Sequence, residues 1–360
     1  MRLTGHAYPW DVLGDPGFVD RTAGLSTVAL AAAYHSVRAA TPLHPKHQLV
    51  NAAHAALYRP VRESAWAGRR LRPRAPAWMS APDSFGAAAA VLRDAGLRVS
   101  AWVVLTHNTR LGTEFPDVAV VNCFGDSYPY ALCPAWSEVR AYAATLAAEA
   151  AAGADEVSLE ACGQLGLTHG SHHEKTDGAW TPTAQRWLSV CCCSACQRGW
   201  SGRGLDPPWV LSTLREAVRV SGPVPFEDDL LAVRQASTDL LRAEVLAGLS
   251  VPVTLHAHPD PWVTGASPGL TPTAGADVSA LVVPAWPLGD ASTSAVAAAA
   301  ATGRPVDAYV TALQADEGLA EHARALVSAG ATGLAIYHLG LAPTWRQPMI
   351  AELCRAAQPV

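Results

Sequence analysis

Lysine is almost missing from this 360-residue chain: Lys46 and Lys175 are the only two, so its basic charge is carried by arginine. Charged residues make up only 16% of the chain, the formal net charge is −5, and the arginines are mostly scattered, with one cluster at Arg69, Arg70, Arg72 and Arg74. That balance argues against nucleic acid as a partner. No uninterrupted apolar run reaches the roughly 18 residues that a spanning helix needs, although half the residues are hydrophobic, so a membrane partner is not expected either. A signal peptide is also lacking: Asp11, Asp15 and Asp20 stand where a basic start and an apolar run would be, which makes the cytoplasm the expected compartment. Finally, neither G-x-G-x-x-G after the first strand nor G-x-x-x-x-G-K-[ST] occurs, which removes the usual phosphate-binding fingerprints.

The chain does hold an alternation of short β-rich runs and alanine-rich segments of helical period. Eight strands are expected near Gly5–Trp10, Thr27–Tyr34, Val99–Thr106, Glu156–Glu160, Val251–His256, Ala280–Ala285, Val306–Val310 and Gly333–Tyr337. Helices are expected at Ser84–Ala95, Glu138–Ala152, Thr183–Trp200, Trp209–Val220, Glu227–Leu249, Ser292–Ala301, Glu317–Ser328 and Trp345–Ala357. Gly96, Gly153, Gly248, Gly303 and Gly330 fall shortly before the strands, where helix C-caps belong. Eight such units in one α/β domain fit a (β/α)₈ TIM barrel over residues 1–360 better than an open doubly wound sheet. Two stretches exceed the pattern: 38–81, and 161–208 after strand four, the latter expected to be an inserted subdomain.

In a barrel the reactive groups stand at the C-terminal ends of the strands. Those positions offer Tyr8, Trp10 and Asp11; Tyr34, His35 and Arg38; His107, Asn108 and Arg110; Glu160; His256, His258, Asp260 and Trp262; Trp286 and Asp290; Tyr309 and Gln314; and Tyr337 and His338. Aromatic faces interleaved with hydrogen-bonding groups suit a sugar, whose C–H face stacks while its hydroxyls need partners. Carbohydrate is therefore the expected substrate, with most of these aromatic, histidine, Asn108 and Arg110 side chains as binding groups.

Glu160 closes Glu156-Val157-Ser158-Leu159-Glu160 and is suited to acid/base or nucleophilic work on a glycosidic bond, unless it pairs structurally with a neighbour such as Arg110. Strand seven ends without a glutamate, so a second carboxylate must come from elsewhere: Asp260, Asp290 and Glu174 are the candidates, with Asp11 behind them. The loop Thr168–Lys175 packs His169, His172, His173 and Glu174 together, a set fit for substrate contacts, for metal or for proton transfer.

Eight cysteines in an expected cytosolic chain are thiols or metal ligands rather than disulfides. Cys191, Cys193 and Cys196 form C-x-C-x-x-C and can converge on one tetrahedral ion, with Cys133 as fourth ligand or Cys123 as the alternative. Such a closed site would be structural; buried thiols without metal are the alternative. Cys162 and Cys354 are read as free.

Cys133, the C-x-C-x-x-C motif and Glu160 between them resemble the zinc-bearing β-galactosidases of glycoside hydrolase family 42. The run through His107-Asn108-Thr109-Arg110, Leu132-Cys133-Pro134, Leu159-Glu160 and His172-His173-Glu174-Lys175 is similar to alanine-rich actinobacterial barrel proteins of the glycoside hydrolase kind. The resemblance covers the middle third of the chain. It implies Glu160 as acid/base or nucleophile, Cys133, Cys191, Cys193 and Cys196 as ligands of a structural zinc, and a carbohydrate substrate; a homo-oligomer is compatible with it. Leu159 stands where that family has an asparagine before its catalytic acid. A non-catalytic sugar-binding barrel, and a metal-dependent lyase or isomerase using the histidines, are the alternatives.

Overall fold

The computed structural model describes residues 1–168, 175, 176, 178–313 and 317–357. Eight parallel strands close into a barrel: β1 (Arg2–Ala7), β2 (Thr27–Tyr34), β3 (Arg98–Val104), β4 (Glu156–Glu160), β5 (Val253–His256), β6 (Ala280–Pro284), β7 (Val306–Thr311) and β8 (Gly333–Tyr337). Each pairs with its neighbour in sequence, and β1 pairs with both β2 and β8, so no edge is left open. With its surrounding helices the domain is a (β/α)₈ TIM barrel.

Strand one lies earlier than the sequence suggests. Pro9 has no N–H to give to the ladder and instead opens a short helix, Pro9–Gly14, in which Asp11 accepts the backbone N–H of Tyr8 at 2.8 Å. The single helix expected over Thr183–Trp200 is two, Pro182–Leu188 and Ser194–Gly202, separated by the cysteine-bearing turn. A continuous helix would set Cys191 and Cys193 about 200° apart around its axis, so their convergence requires that break. The connection from β4 to β5 carries these two helices and two more, Pro207–Val220 and Glu227–Leu246. The 38–81 region contributes a hairpin, Val37–Ala40 with Leu49–Ala52, and a strand, Ala56–Leu57, antiparallel to β2.

The outer faces of the strands pack alanine and leucine against helices, but the barrel interior is polar. At its N-terminal end Arg2 donates to Asp307 (Nε to Oδ2, 3.0 Å) and lies 3.5 Å from Glu156. Burial pushes both acids up while Arg2 pulls them back. Gly333 leaves room for this knot, since a Cβ there would lie 2.2 Å from an oxygen of Asp307. No described helix is long and apolar enough to cross a membrane.

Candidate active site and cysteine centre

The site grows from the register of two adjacent strands. Trp102 lies opposite Ser158 and Val104 opposite Glu160, so alternation turns Trp102, Ser158 and Glu160 into the barrel. The indole Nε1 of Trp102 donates to Glu160 Oε2 at 2.8 Å. Glu160 is 6% exposed, and burial raises its carboxyl from 4.5 to about 7, against the indole, which favours the charged form.

Around this pair stand Tyr34, edge-on to Trp102 at 4.6 Å, and Tyr309 and Tyr337, whose hydroxyls are raised first by burial and then by the charge on Glu160. Trp286 lies 4.8 Å from Tyr337 and 5.8 Å from Tyr309, ring to ring. Beneath them His6 meets Trp102 and Tyr309 edge-on or tilted, both at 4.8 Å, and His256 at 5.7 Å. Ser158 Oγ is 3.1 Å from His256 Nε2. Burial lowers the imidazoles of His6 and His256, the latter to about 3, so both are neutral at pH 7.

A second carboxyl belongs to the same cluster. Asp11, 4% exposed, places Oδ2 3.6 Å from His338 Nδ1 and is raised by burial to about 7. His338, lowered by burial to about 3, lies 4.1 Å from Tyr8 and 5.9 Å from Trp102, ring to ring, and Tyr8 stacks on Trp10 at 4.2 Å.

The other expected residues are distributed differently. His35 stacks between Tyr34 at 4.3 Å and His107 at 4.1 Å, extending the aromatic cluster outward. Asn108 caps the helix Thr109–Glu114 by accepting from Leu111 N, and its Nδ2 donates to Tyr142. Arg110 does not pair with Glu160: it donates to Glu114 Oε2 at 2.6 Å and to the Arg72 carbonyl. Asp260 is exposed, accepts from Trp262 N at 2.9 Å and, with Trp262 and Arg186, lines a separate cavity of about 320 Å³; His258 Nδ1 accepts from Asp260 N. Asp290 is exposed in the first turn of the helix Asp290–Ala300. His169, His172, His173 and Glu174, with Gln314, lie outside the described residues.

His6 and Trp102 were not among the sequence candidates. Both precede the strand ends and face inward, and the alternation of Ser100-Ala101-Trp102 with Ser158-Leu159-Glu160 was the signal that pairs Trp102 with the acid.

The cysteine motif folds back on a neighbouring hairpin, Ala119–Val121 with Ser127–Leu132. Cys192 N donates to the Val121 carbonyl and Cys133 N to the Val118 carbonyl, which draws the turn against the hairpin end. Cys133 Sγ is 3.6 Å from Cys196 Sγ and 3.7 Å from Cys193 Sγ, and the sulfurs of Cys133, Cys191, Cys193 and Cys196, all buried, lie within 4.8 Å of one another. Four thiolates around a tetrahedral ion at about 2.3 Å would stand about 3.8 Å apart, so this cluster can hold a metal ion. Its hydrogen bonds from Cys133, Cys191 and Cys196 lower Cys193, while Cys133 and Cys196 are raised. Cys123 stands outside the group, so Cys133 is the fourth member.

No protein-family model matches the sequence, and no curated protein matches it either. The fold is similar to solved structures of glycoside hydrolases. The catalytic domain of a β-amylase from Paenibacillus polymyxa superposes with a TM-score of 0.58 at 12% identity, covering 100% of both chains. α-L-Fucosidase isoenzyme 2 from Paenibacillus thiaminolyticus gives 0.55 at 14% identity, over 99% of this chain and 49% of that one. A family 42 β-galactosidase from G. stearothermophilus gives 0.52 at 10% identity, over 99% and 56%. The chain thus spans about half the length of the fucosidase and the galactosidase. At these identities the likeness is one of fold, that of TIM-barrel glycoside hydrolases.

Proposed function

We propose that this protein is a glycoside hydrolase acting on a small oligosaccharide or glycoside, with Glu160 as the catalytic acid. The observation that carries this is a buried carboxyl at the C-terminal end of β4, held by an indole donor among aromatic rings, and protonated about half the time near pH 7. Such a group donates its proton to the glycosidic oxygen as the C–O bond breaks, and the low polarity around it favours the neutral, proton-bearing form until that moment. Trp286 and Tyr337, both partly exposed, offer ring faces to the sugar, and His35 and His107 offer further contacts.

Zinc suits the cysteine centre, because soft thiolates in a tetrahedral set select it. Cys133, Cys191, Cys193 and Cys196 fill all four positions, so the ion would brace the fold: it ties residues 161–208, read as an inserted subdomain, to the hairpin after β3.

One observation favours a second reading, a barrel that binds sugar without cleaving it: β7 presents Tyr309 and Thr311 where a glycosidase of the family 42 kind would carry its glutamate. Incubation with a panel of natural oligosaccharides and aryl glycosides separates the two. Cleavage that disappears in Glu160→Gln supports the hydrolase; binding with no cleavage by the unaltered protein supports the binding barrel.

A further inference from the structure

We infer that Asp11, supplied by the first turn after β1, is the catalytic base that partners Glu160, and that hydrolysis therefore proceeds with inversion. The inference rests on the glycosidase reading and replaces the missing β7 carboxylate with one from the other side of the β8–β1 seam.

Three observations set Asp11 in the cluster around Glu160 rather than in a mere helix start. First, its side chain is 2% exposed, and the bond from Tyr8 N offsets only part of the cost of burying its charge. Second, it is joined to Glu160 through rings rather than directly: Asp11 Oδ2 lies 3.6 Å from His338 Nδ1, His338 lies 5.9 Å from Trp102, and Trp102 donates to Glu160. The hydroxyl of Tyr337, whose ring lies 5.4 Å from that of His338, is raised by burial first and then by the charge of Glu160 and of Asp11. Third, among the described residues neither ring nitrogen of His338, 1% exposed, has a hydrogen-bond partner of ordinary length, which suits a group that tightens onto Asp11 when substrate enters. Gly340 leaves the space the carboxylate occupies, because a Cβ there would lie 2.0 Å from Asp11 Cγ and 2.3 Å from each of its oxygens.

The step balances without a further reactant. Glu160 gives its proton to the glycosidic oxygen as the bond from that oxygen to the anomeric carbon breaks; a water oxygen bonds to the anomeric carbon from the opposite face and loses its proton to Asp11. Exchange with solvent then returns a proton to Glu160 and removes one from Asp11. His338 is a positioning residue that holds the Asp11 carboxylate toward the water.

The test uses galactosyl, glucosyl and fucosyl fluorides of both anomers, whose leaving group needs little acid assistance, with fluoride release as the rate and proton NMR for the anomer first formed. On the fluoride that the unaltered protein cleaves, Asp11→Asn is expected to lose about 10³-fold and Glu160→Gln far less, and the product anomer to be inverted. Asp11→Ser, which leaves more room, is run beside it, and circular dichroism establishes that each variant is folded. A folded Asp11 variant at full rate, or a product of retained configuration, overturns Asp11 as base while leaving the glycosidase reading standing. Absence of turnover by the unaltered protein on these fluorides and on the glycoside panel overturns both.

Discussion

The indole nitrogen of Trp102 and the carboxyl of Glu160 meet at 2.8 Å across neighbouring strands, and that bond holds back the rise in pKa that burial imposes on the group on which the proposed chemistry depends. A donor to a carboxylate favours its charged form, so its loss should raise the pKa. Trp102→Phe keeps an aromatic ring but removes the N–H. The alkaline limb of the pH–rate profile should therefore move upward by about one unit, the scale of one hydrogen bond to a charged group. A profile left in place would show that Trp102 does not govern Glu160.

The two buried carboxyls also predict how stability depends on pH. Each has a folded-state pKa raised above its unfolded value, Glu160 from 4.5 and Asp11 from 3.8, both to about 7. The stability they contribute is complete below the unfolded values and is lost as pH rises through about 7. For Glu160 the loss is about 3 kcal/mol. His256 and His338, lowered from 6.5 to about 3, act oppositely: their contribution is present above 6.5 and lost as pH falls toward 3. Comparing one variant with the unaltered protein at each pH isolates the contribution of Glu160 from that of the other titrating groups. Glu160→Gln should thus melt at a higher temperature than the unaltered protein at pH 8, with a smaller difference at pH 5. Equal melting temperatures at pH 8 would contradict the burial assigned to Glu160.

At the cysteine centre the expected content is one zinc per chain by elemental analysis. Cys133→Ser should lower it and destabilise the protein by several kcal/mol, because the hairpin and the 182–202 helices lose their shared anchor. Cys192→Ser is the control: its thiol points to the Val190 carbonyl, outside the four-sulfur group, so zinc content should be unchanged. Loss of zinc in Cys192→Ser but not in Cys133→Ser would refute the ligand set.

Gly340→Ala tests the packing against the Asp11 carboxylate. A methyl group 2.0 Å from the Asp11 carboxyl carbon forces one of them to move, at a cost of about 1–3 kcal/mol in unfolding experiments. Unchanged stability would mean that Asp11 has room to spare.

The strand and helix periods made the barrel legible in the sequence, and the alternation of Glu156–Glu160 made legible the inward placement of Glu160 at a strand end, because both depend on local period alone. The cysteine quartet was legible from spacing, although the helix expected over Thr183–Trp200 had to be two for the sulfurs to meet. Asp11 stood only behind other candidates in the sequence, because Pro9 opens a helix two residues before it and its neighbour His338 lies 327 positions away. Arg110 is taken by Glu114, four residues on along the same helix, and by the Arg72 carbonyl, a long-range contact that local pattern does not reveal. Asp260 and Asp290 satisfied the strand-end rule as well as Glu160 did, but burial, which local pattern does not reveal, separates them.

The most direct test of the central claim is kcat/KM at pH 6 for the unaltered protein and Glu160→Gln on the best glycoside of the panel. The account predicts a fall of at least about 10²-fold with the fold and sugar binding preserved. Equal values in the two proteins, or no turnover by either on any member of the panel, would contradict it.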